Sequence, residues 1–256
     1  MIRRALISAT VSALVLSGCS TGPSREVIDR ALAGAPGEAQ PSDIVSTEIA
    51  FSREAREEGQ WTAFAEYAGD GAVIHAPVGP VAARQWLAER ADPAAAEQWT
   101  PTAIWMSCDG ETAVSRGRFA QPDNVWGYYA AVWKRQRDNS YRWVYRISAT
   151  DRALTERQRR GRAEALDPDG VIVVEADPMI RGEVAECNAP MPRLPADIVP
   201  AGMTGDSAAS RDRSLVYDWG QYADGRRTFG VRIVQNGAWD EALRFDLSAN
   251  GEVTQR

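Results

Sequence analysis

Apolar and polar positions change their spacing along the chain, and the changes mark its segments. Ala5 to Leu16 is a mostly apolar run behind Arg3 and Arg4; at about a dozen residues it falls short of the roughly 20 a bilayer core needs. Ser20 to Ser42 is rich in Ala, Gly, Pro and Ser and reads as a tether, with a brief helical patch at Glu26 to Leu32. From Asp43 the spacing becomes helical. Val45, Ile49 and Phe51 fall near one face, while Glu54, Arg56, Glu57 and Glu58 read as solvated, and Gly59 ends the helix. A second helix, Gln60 to Ala68, stripes Trp61, Phe64, Ala65 and Ala68, and Gly69-Asp70-Gly71 stops it. Ala72 to Ala76 reads as a short strand before Pro77, and Gly79-Pro80 as a turn. Val81 to Arg90 reads as a third helix with Val81, Trp86 and Leu87 inward, closed by Asp92-Pro93.

The period then drops to two. Strands are predicted at Thr100 to Cys108, Thr112 to Ala120, Val125 to Gln136 and Tyr141 to Ala149, with turns at Asp109-Gly110, Gln121 to Asn124 and Asp138-Asn139-Ser140. Alternation in the last strand puts Tyr141, Trp143, Tyr145 and Ile147 on one face and Arg142 and Arg146 on the other. Asp151 to Asp167 is arginine-rich and reads as a helix or connector. Val171 to Glu175 reads as a strand and Ala176 to Ser210 as loop. Ser214 to Gly220, Thr228 to Gln235 and Ala242 to Leu247 read as three strands, turned at Asp224-Gly225 and Asn236-Gly237. This tail is expected to pack on the first sheet or pair with its edge, the alternative being a free second domain, since ~100 residues with few apolar runs make a marginal core alone.

The order helix, helix, strand, helix, then four antiparallel strands resembles the nuclear transport factor 2-like superfamily, shared by ketosteroid isomerases and polyketide-cyclase-like proteins. The resemblance is carried by Gly59-Gln60-Trp61-Thr62-Ala63-Phe64, Asp70-Gly71-Ala72-Val73, Trp86-Leu87, Ser107-Cys108-Asp109-Gly110, Ala113-Val114-Ser115, and Gly127-Tyr128-Tyr129 leading to Val132-Trp133-Lys134-Arg135-Gln136. It implies an α+β fold: a cone-like domain of three N-terminal helices on a curved, mainly antiparallel sheet over 44–150, followed by a β-rich C-terminal extension over 151–256. The superfamily hosts unrelated activities, so the resemblance speaks to fold more than to function.

The opening segment resembles an export signal with a lipobox. Leu16-Ser17-Gly18 precedes Cys19, which implies a signal peptide over 1–18, an acylated Cys19 and a lipidated tether over 19–43. Membrane attachment is expected through that acyl group, and Ser20 after the cysteine leans the address toward the outer membrane, facing the periplasm. Removing the signal leaves 27 basic against 35 acidic residues, a net charge of −8, which argues against nucleic acid as a partner. Lys134 is the sole lysine. With Cys19 acylated, Cys108 and Cys187 remain as a pair in an oxidising compartment, expected as a disulfide, the alternative being two buried free thiols. One histidine and no Cys-x-x-Cys give no metal-site pattern, and no cofactor motif is found.

Three constellations carry candidate chemistry. His75, in the short strand that lines the pocket in the resembled fold, is a candidate general base, with Tyr128 or Tyr129 as its inward-pointing partner; the plainer reading is a hydrogen-bonded structural histidine. Isomerase-like chemistry would also need an inward carboxylate, and Asp70, Asp109 and Asp123 all fall in predicted turns, so that set is incomplete. Aromatic residues Trp61, Trp86, Trp105, Tyr128, Trp133 and Trp143, with His75, are the candidate lining of a pocket for a small apolar ligand, or else fill the core. Arg116 and Arg118 share one strand face and Arg142 and Arg146 another; stacked across strands they could form a basic patch for an anionic ligand, or else pair with Asp and Glu on a wet sheet face or meet the acidic C-terminal segment. Gly205-Asp206-Ser207 faintly resembles a hydrolase block but lacks a nearby partner. The reading is an envelope lipoprotein that binds a small apolar or amphipathic ligand, or an envelope partner or second copy of itself through its open sheet face. The alternative is an acid–base isomerase or cyclase-like enzyme working in the cone.

Overall fold

The computed structural model describes residues 39–165, 179–187, 191–195, 199 and 201–255. The expected signal, the acylated cysteine and the tether up to residue 38 lie outside them, as does the strand expected at Val171 to Glu175; the tether expected to run to 43 gives way to helix from Pro41. The first helix, α1 (Pro41–Glu57), opens with Pro41 at its first turn, where the missing N–H costs nothing. Its buried stripe is Ile44, Glu48, Phe51, Ser52 and Ala55, while Ile49 stays more than half exposed. The stripe is thus rotated from the expected Val45–Ile49–Phe51 face, because a carboxylate goes inward at position 48.

Gly59, at φ +120°, turns the chain into α2 (Gln60–Tyr67). A Cβ there would lie 2.3 Å from a carboxylate oxygen of Asp92. That carboxylate accepts the backbone N–H groups of Trp61 and Thr62 and the Thr62 hydroxyl, so a residue 30 positions downstream caps the helix start. The chain then enters β1 (Ala68–Ala76) directly, four residues earlier than expected, and β2 (Gly79–Ala82) folds back on it in place of the expected helical turn. The third helix, α3 (Ala83–Ala88), is correspondingly shorter. The four expected strands follow as β3 (Gln98–Met106), β4 (Thr112–Ala120), β5 (Trp126–Arg135) and β6 (Tyr141–Thr150).

After β6 comes α4 (Arg152–Ala165), then β7 (Arg181–Val184), β8 (Thr204–Ala209), β9 (Leu215–Gln221), β10 (Arg227–Gln235), β11 (Ala238–Leu247) and β12 (Val253–Gln255). β7 and β8 lie in the stretch expected as loop. Both are short, largely exposed edge strands, and such strands carry little apolar periodicity. One sheet runs β2-β1-β6-β5-β4-β3-β7, antiparallel except at β1–β6 and β3–β7; the other runs β12-β11-β10-β9-β8, antiparallel throughout.

The fold is α+β in three layers: helices α1–α3, the seven-stranded sheet, then the five-stranded sheet. One core lies between helices and sheet, built on Ile44, Phe51, Phe64, Trp99, Trp133 and Trp143. The second lies between the sheets, where Trp105, Val132, Tyr145 and Ile147 meet Leu215, Phe229, Val231 and Phe245. The sheet face expected to be open is therefore covered by the chain's own C-terminal strands. A bulge at Val144, opposite Val132 and Trp133, breaks the alternation of β6. Tyr141 and Trp143 face the helices while Tyr145 and Ile147 face the second sheet, correcting the single face expected for all four.

Cys108 follows β3 and Cys187 follows β7; they are joined in a disulfide, Cα atoms 5.2 Å apart. Just before the bridge, Ala185 N–H donates to Met106 O at the first sheet and Glu186 N–H to Val234 O at the second. The bridge thus staples the strand that ties both sheets together. Replacing both cysteines by serine should cost about 4 kcal/mol, as the loss of a cross-link spanning a long loop predicts. Urea unfolding would show a lower midpoint; an unchanged midpoint would mean the cross-link constrains nothing.

Candidate functional site

The space between α1–α3 and the first sheet holds a buried polar cluster built around Glu48. Its carboxylate accepts the Trp99 indole N–H at 2.8 Å and the Ser115 hydroxyl at 2.5 Å, and Ser115 in turn accepts the Trp133 indole N–H at 2.9 Å. Burial raises the Glu48 pKa, with Arg146 and these donors pulling it back. Tyr129 points into the same space and its ring fits because position 117 is glycine: a Cβ there would come 2.5 Å from the ring. Burial and the neighbouring Glu48 push the Tyr129 hydroxyl well above its ordinary value.

Arg146 enters from β6, 4% exposed. Its guanidinium sits 4.4 Å from the Tyr129 ring centre, 4.9 Å from Phe64, 5.3 Å from Trp99 and 5.9 Å from Phe51. Among the described residues its two terminal nitrogens make no hydrogen bond, so the rings and the acids' field hold the cation. Glu97, just ahead of β3, is raised to about 7 by burial, against the pull of Arg146.

An acid, a tyrosine and an arginine are the parts of an acid–base centre, but aromatic rings fill the space around them. Phe51 packs against Phe64, Tyr67, Trp99 and Trp133 at ring-centre distances of 4.6–6.3 Å, and Phe64 against Trp143 at 6.3 Å. Glu48 and Tyr129 have no exposed surface.

The residues singled out from sequence divide between different surroundings. His75 does not face this space. It lies between the sheets, 2% exposed, with Nδ1 accepting from the Tyr145 hydroxyl at 2.6 Å and Nε2 donating to Gln221 Oε1 at 3.2 Å. Its carbonyl accepts Arg227 Nη1–H at 2.9 Å. Burial, helped by Arg227, lowers its pKa to about 4. Tyr128 and Trp105 belong to the core between the sheets, whereas Tyr129, Trp133 and Trp143 belong to the helix side. The expected pairing of His75 with a tyrosine is therefore met by Tyr145, not by Tyr128 or Tyr129, and is structural.

Trp61 and Trp86 meet edge to face at 5.2 Å, with Arg90 over the Trp86 ring. Trp61 lines an outer groove of about 820 Å³ between α2, the β1–β2 hairpin and α3. Arg142 pairs with Glu66 at 3.5 Å, away from Arg146, so no joint patch forms. Asp109 accepts the Ser107 hydroxyl in a turn.

Another groove, about 520 Å³, crosses the rim where β3 begins and β4 ends. α1 flanks it with Ser52 and Arg56, α4 with Gln158 and Arg162, and Trp99 and Trp126 contribute indoles. Trp99 is thus wall to the groove and donor to Glu48. Sequence reasoning found Arg118, which lines this groove, but missed Glu48, Glu97, Arg56 and Arg162. The one available signal was the i, i+4, i+7 spacing of Ile44, Glu48 and Phe51. Among the described residues no group of three His, Cys, Asp or Glu could hold a metal ion.

The chain matches no protein-family model and no curated protein. Among solved structures it is similar to a protein assigned as a ketosteroid isomerase from Parabacteroides distasonis ATCC 8503, at 17% identity over 47% of this chain and 95% of that one, TM-score 0.37. It is also similar to ActVI-ORFA from Streptomyces coelicolor, at 16% identity over 43% of this chain and 96% of that one, TM-score 0.33.

His75 makes stability depend on pH in a definite sense. Its folded pKa of about 4 lies below the unfolded 6.5, so the unfolded chain alone takes up a proton between these values. Stability is lost as pH falls from 6.5 to 4, by roughly 3 kcal/mol from this group. In urea unfolding at pH 7 and pH 4, His75→Gln should lose less than the unaltered protein by about that amount; parallel losses would show that the imidazole is not held neutral.

Proposed function

We propose that the chain is an envelope lipoprotein whose folded body binds a small apolar or amphipathic molecule without transforming it. The observation that carries this reading is the filling of the space around Glu48, Tyr129 and Arg146 by Phe51, Phe64, Trp99, Trp133 and Trp143. A reactive centre needs a place for the reacting atom within about 3 Å of its groups, and rings occupy that place. The rim groove instead offers indole surface and polar side chains to a molecule that stays at the surface.

The address rests on the lipobox-like Leu16-Ser17-Gly18-Cys19, which implies export, acylation of Cys19 and retention at the outer membrane facing the periplasm. The Cys108–Cys187 bridge fits an oxidising compartment. Residues 44–150 are assigned to the nuclear transport factor 2-like superfamily on their element order. A second reading, an isomerase- or cyclase-like enzyme, draws on the clustering of Glu48, Glu97, Tyr129 and Arg146. It requires the rings to part and admit a substrate.

Native mass spectrometry of the full chain extracted from its own membrane tests the proposal. An amino terminus at acylated Cys19 and a co-purified small molecule are expected. The bound fraction should fall about tenfold in Gln158→Trp, which fills the rim groove, and persist in His75→Gln. An intact Met1 in the cytosol would overturn the address. Conversion of the bound molecule, abolished by Glu48→Gln, would overturn binding without turnover.

A further inference from the structure

We infer that the outer groove between α2, the β1–β2 hairpin and α3 is a second binding site, and that its ligand is an apolar molecule bearing a single carboxylate. The groove shares no lining residue with the rim groove, so the site is separate from the one in the reading above and goes beyond it.

At about 820 Å³ the groove falls within the roughly 300–1,000 Å³ of small-molecule sites. An apolar wall runs from Trp61 and Ala68 of α2 past Ala72 and Val73 of β1 to Val81 of β2 and Leu87 of α3. Ala72 and Leu87 are buried members of the helix-side core, and Trp61 is braced edge to face by Phe64 at 5.4 Å and Trp86 at 5.2 Å. The apolar surface is therefore fixed before any ligand arrives. Gly71, at φ +68°, leaves room beside β1: a Cβ there would have nothing within 4 Å.

Three charged side chains line the groove: Arg84, Arg90 and Asp92. The Asp92 carboxylate is already committed, since it accepts the Trp61 and Thr62 N–H groups and the Thr62 hydroxyl at the start of α2. Arg90 lies over the Trp86 ring, its guanidinium carbon 3.4 Å from the ring centre. Among the described residues neither Arg84 nor Arg90 donates a side-chain hydrogen bond or stands in an ion pair. The chain as a whole carries −6, so two unpaired guanidinium groups beside apolar surface reverse the prevailing sign locally. A guanidinium group matches a carboxylate because its paired N–H donors meet two oxygens at once.

The two arginines are not equivalent. They stand six residues apart, about 9 Å by helical rise. Asp92 follows Arg90 by two residues and sits at the start of α2, so the positive field is least opposed at Arg84. The carboxylate therefore belongs at Arg84, with the apolar body lying toward Trp61. A second anionic group at the far end would meet Asp92, which selects one charge and not two.

Isothermal titration of the full chain at low salt with octanoate, octanol and acetate tests this. Octanoate should saturate, with octanol and acetate each at least about tenfold weaker. Arg84→Gln should weaken octanoate about tenfold and Arg90→Gln less, both leaving octanol unchanged. Ala88→Trp and Ala65→Trp, at exposed helix positions that line the groove, should each abolish octanoate binding, and Gln158→Trp at the rim should leave it intact. Octanol as tight as octanoate would overturn the charge assignment, and acetate as tight would overturn the apolar body. Octanoate lost in Gln158→Trp and kept in Ala88→Trp and Ala65→Trp would overturn this site and leave the rim reading standing. Absence of saturable octanoate binding would overturn this site, whereas the rim reading is decided by its own co-purified molecule.

Discussion

The packing of the second sheet against the first is the contact on which the rest of the molecule depends. Its centre is Tyr145, whose ring lies parallel to Phe229 at 5.2 Å and to Trp219 at 6.3 Å, with its hydroxyl on His75. A curved sheet with helices on one side has a second face to cover. Here the chain covers it with its own C-terminal strands, which bury Leu215, Phe229, Val231, Ile233, Phe245 and Leu247 against it, and removal of that apolar surface from water favours the contact. Two consequences follow. The C-terminal strands belong to the same compact unit, Gly34–Arg256, as the helices, and the histidine that looked reactive becomes a neutral hydrogen-bonding post between layers.

The helix side solves a different problem. Glu48 and Arg146 bring opposite charges into a core of aromatic rings, an arrangement that rarely beats an apolar filling in stability. What it supplies is definition: Trp99, Trp133 and Ser115 are each oriented by the chain of hydrogen bonds ending on Glu48. Because Trp99 also walls the rim groove, the buried network fixes the groove's shape. The groove at the rim and the charge in the core share one indole, that of Trp99.

Much of the first sheet was legible because β3 to β6 alternate cleanly and end in Asp-Gly and Asn-Ser turns. Trouble began where a local rule was broken by a distant contact. The bulge at Val144 leaves no mark in a pattern of alternating aromatics, and it puts Trp143 and Tyr145 on opposite faces of the sheet. Nothing in the local pattern marks Glu48 as inward, since a lone carboxylate is normally solvated and its donors come from β3 and β4. β7 and β8 were invisible because edge strands with exposed faces need no apolar spacing. The rim groove joins residues 56, 118 and 162, so no window of sequence contains it; from sequence, Arg118 was grouped with Arg116 on its own strand face and not with Arg56 or Arg162.

The most direct measurement is native-state hydrogen exchange followed across low concentrations of denaturant, comparing amides of β4–β6 with those of β9–β11. If the sheets form one body whose shared core closes the interior, both sets open with the same free energy and the same dependence on denaturant. If the C-terminal strands exchange through a separate, cheaper opening, the second sheet is an appendage, and the account of a closed interior with a fixed groove at its rim does not hold.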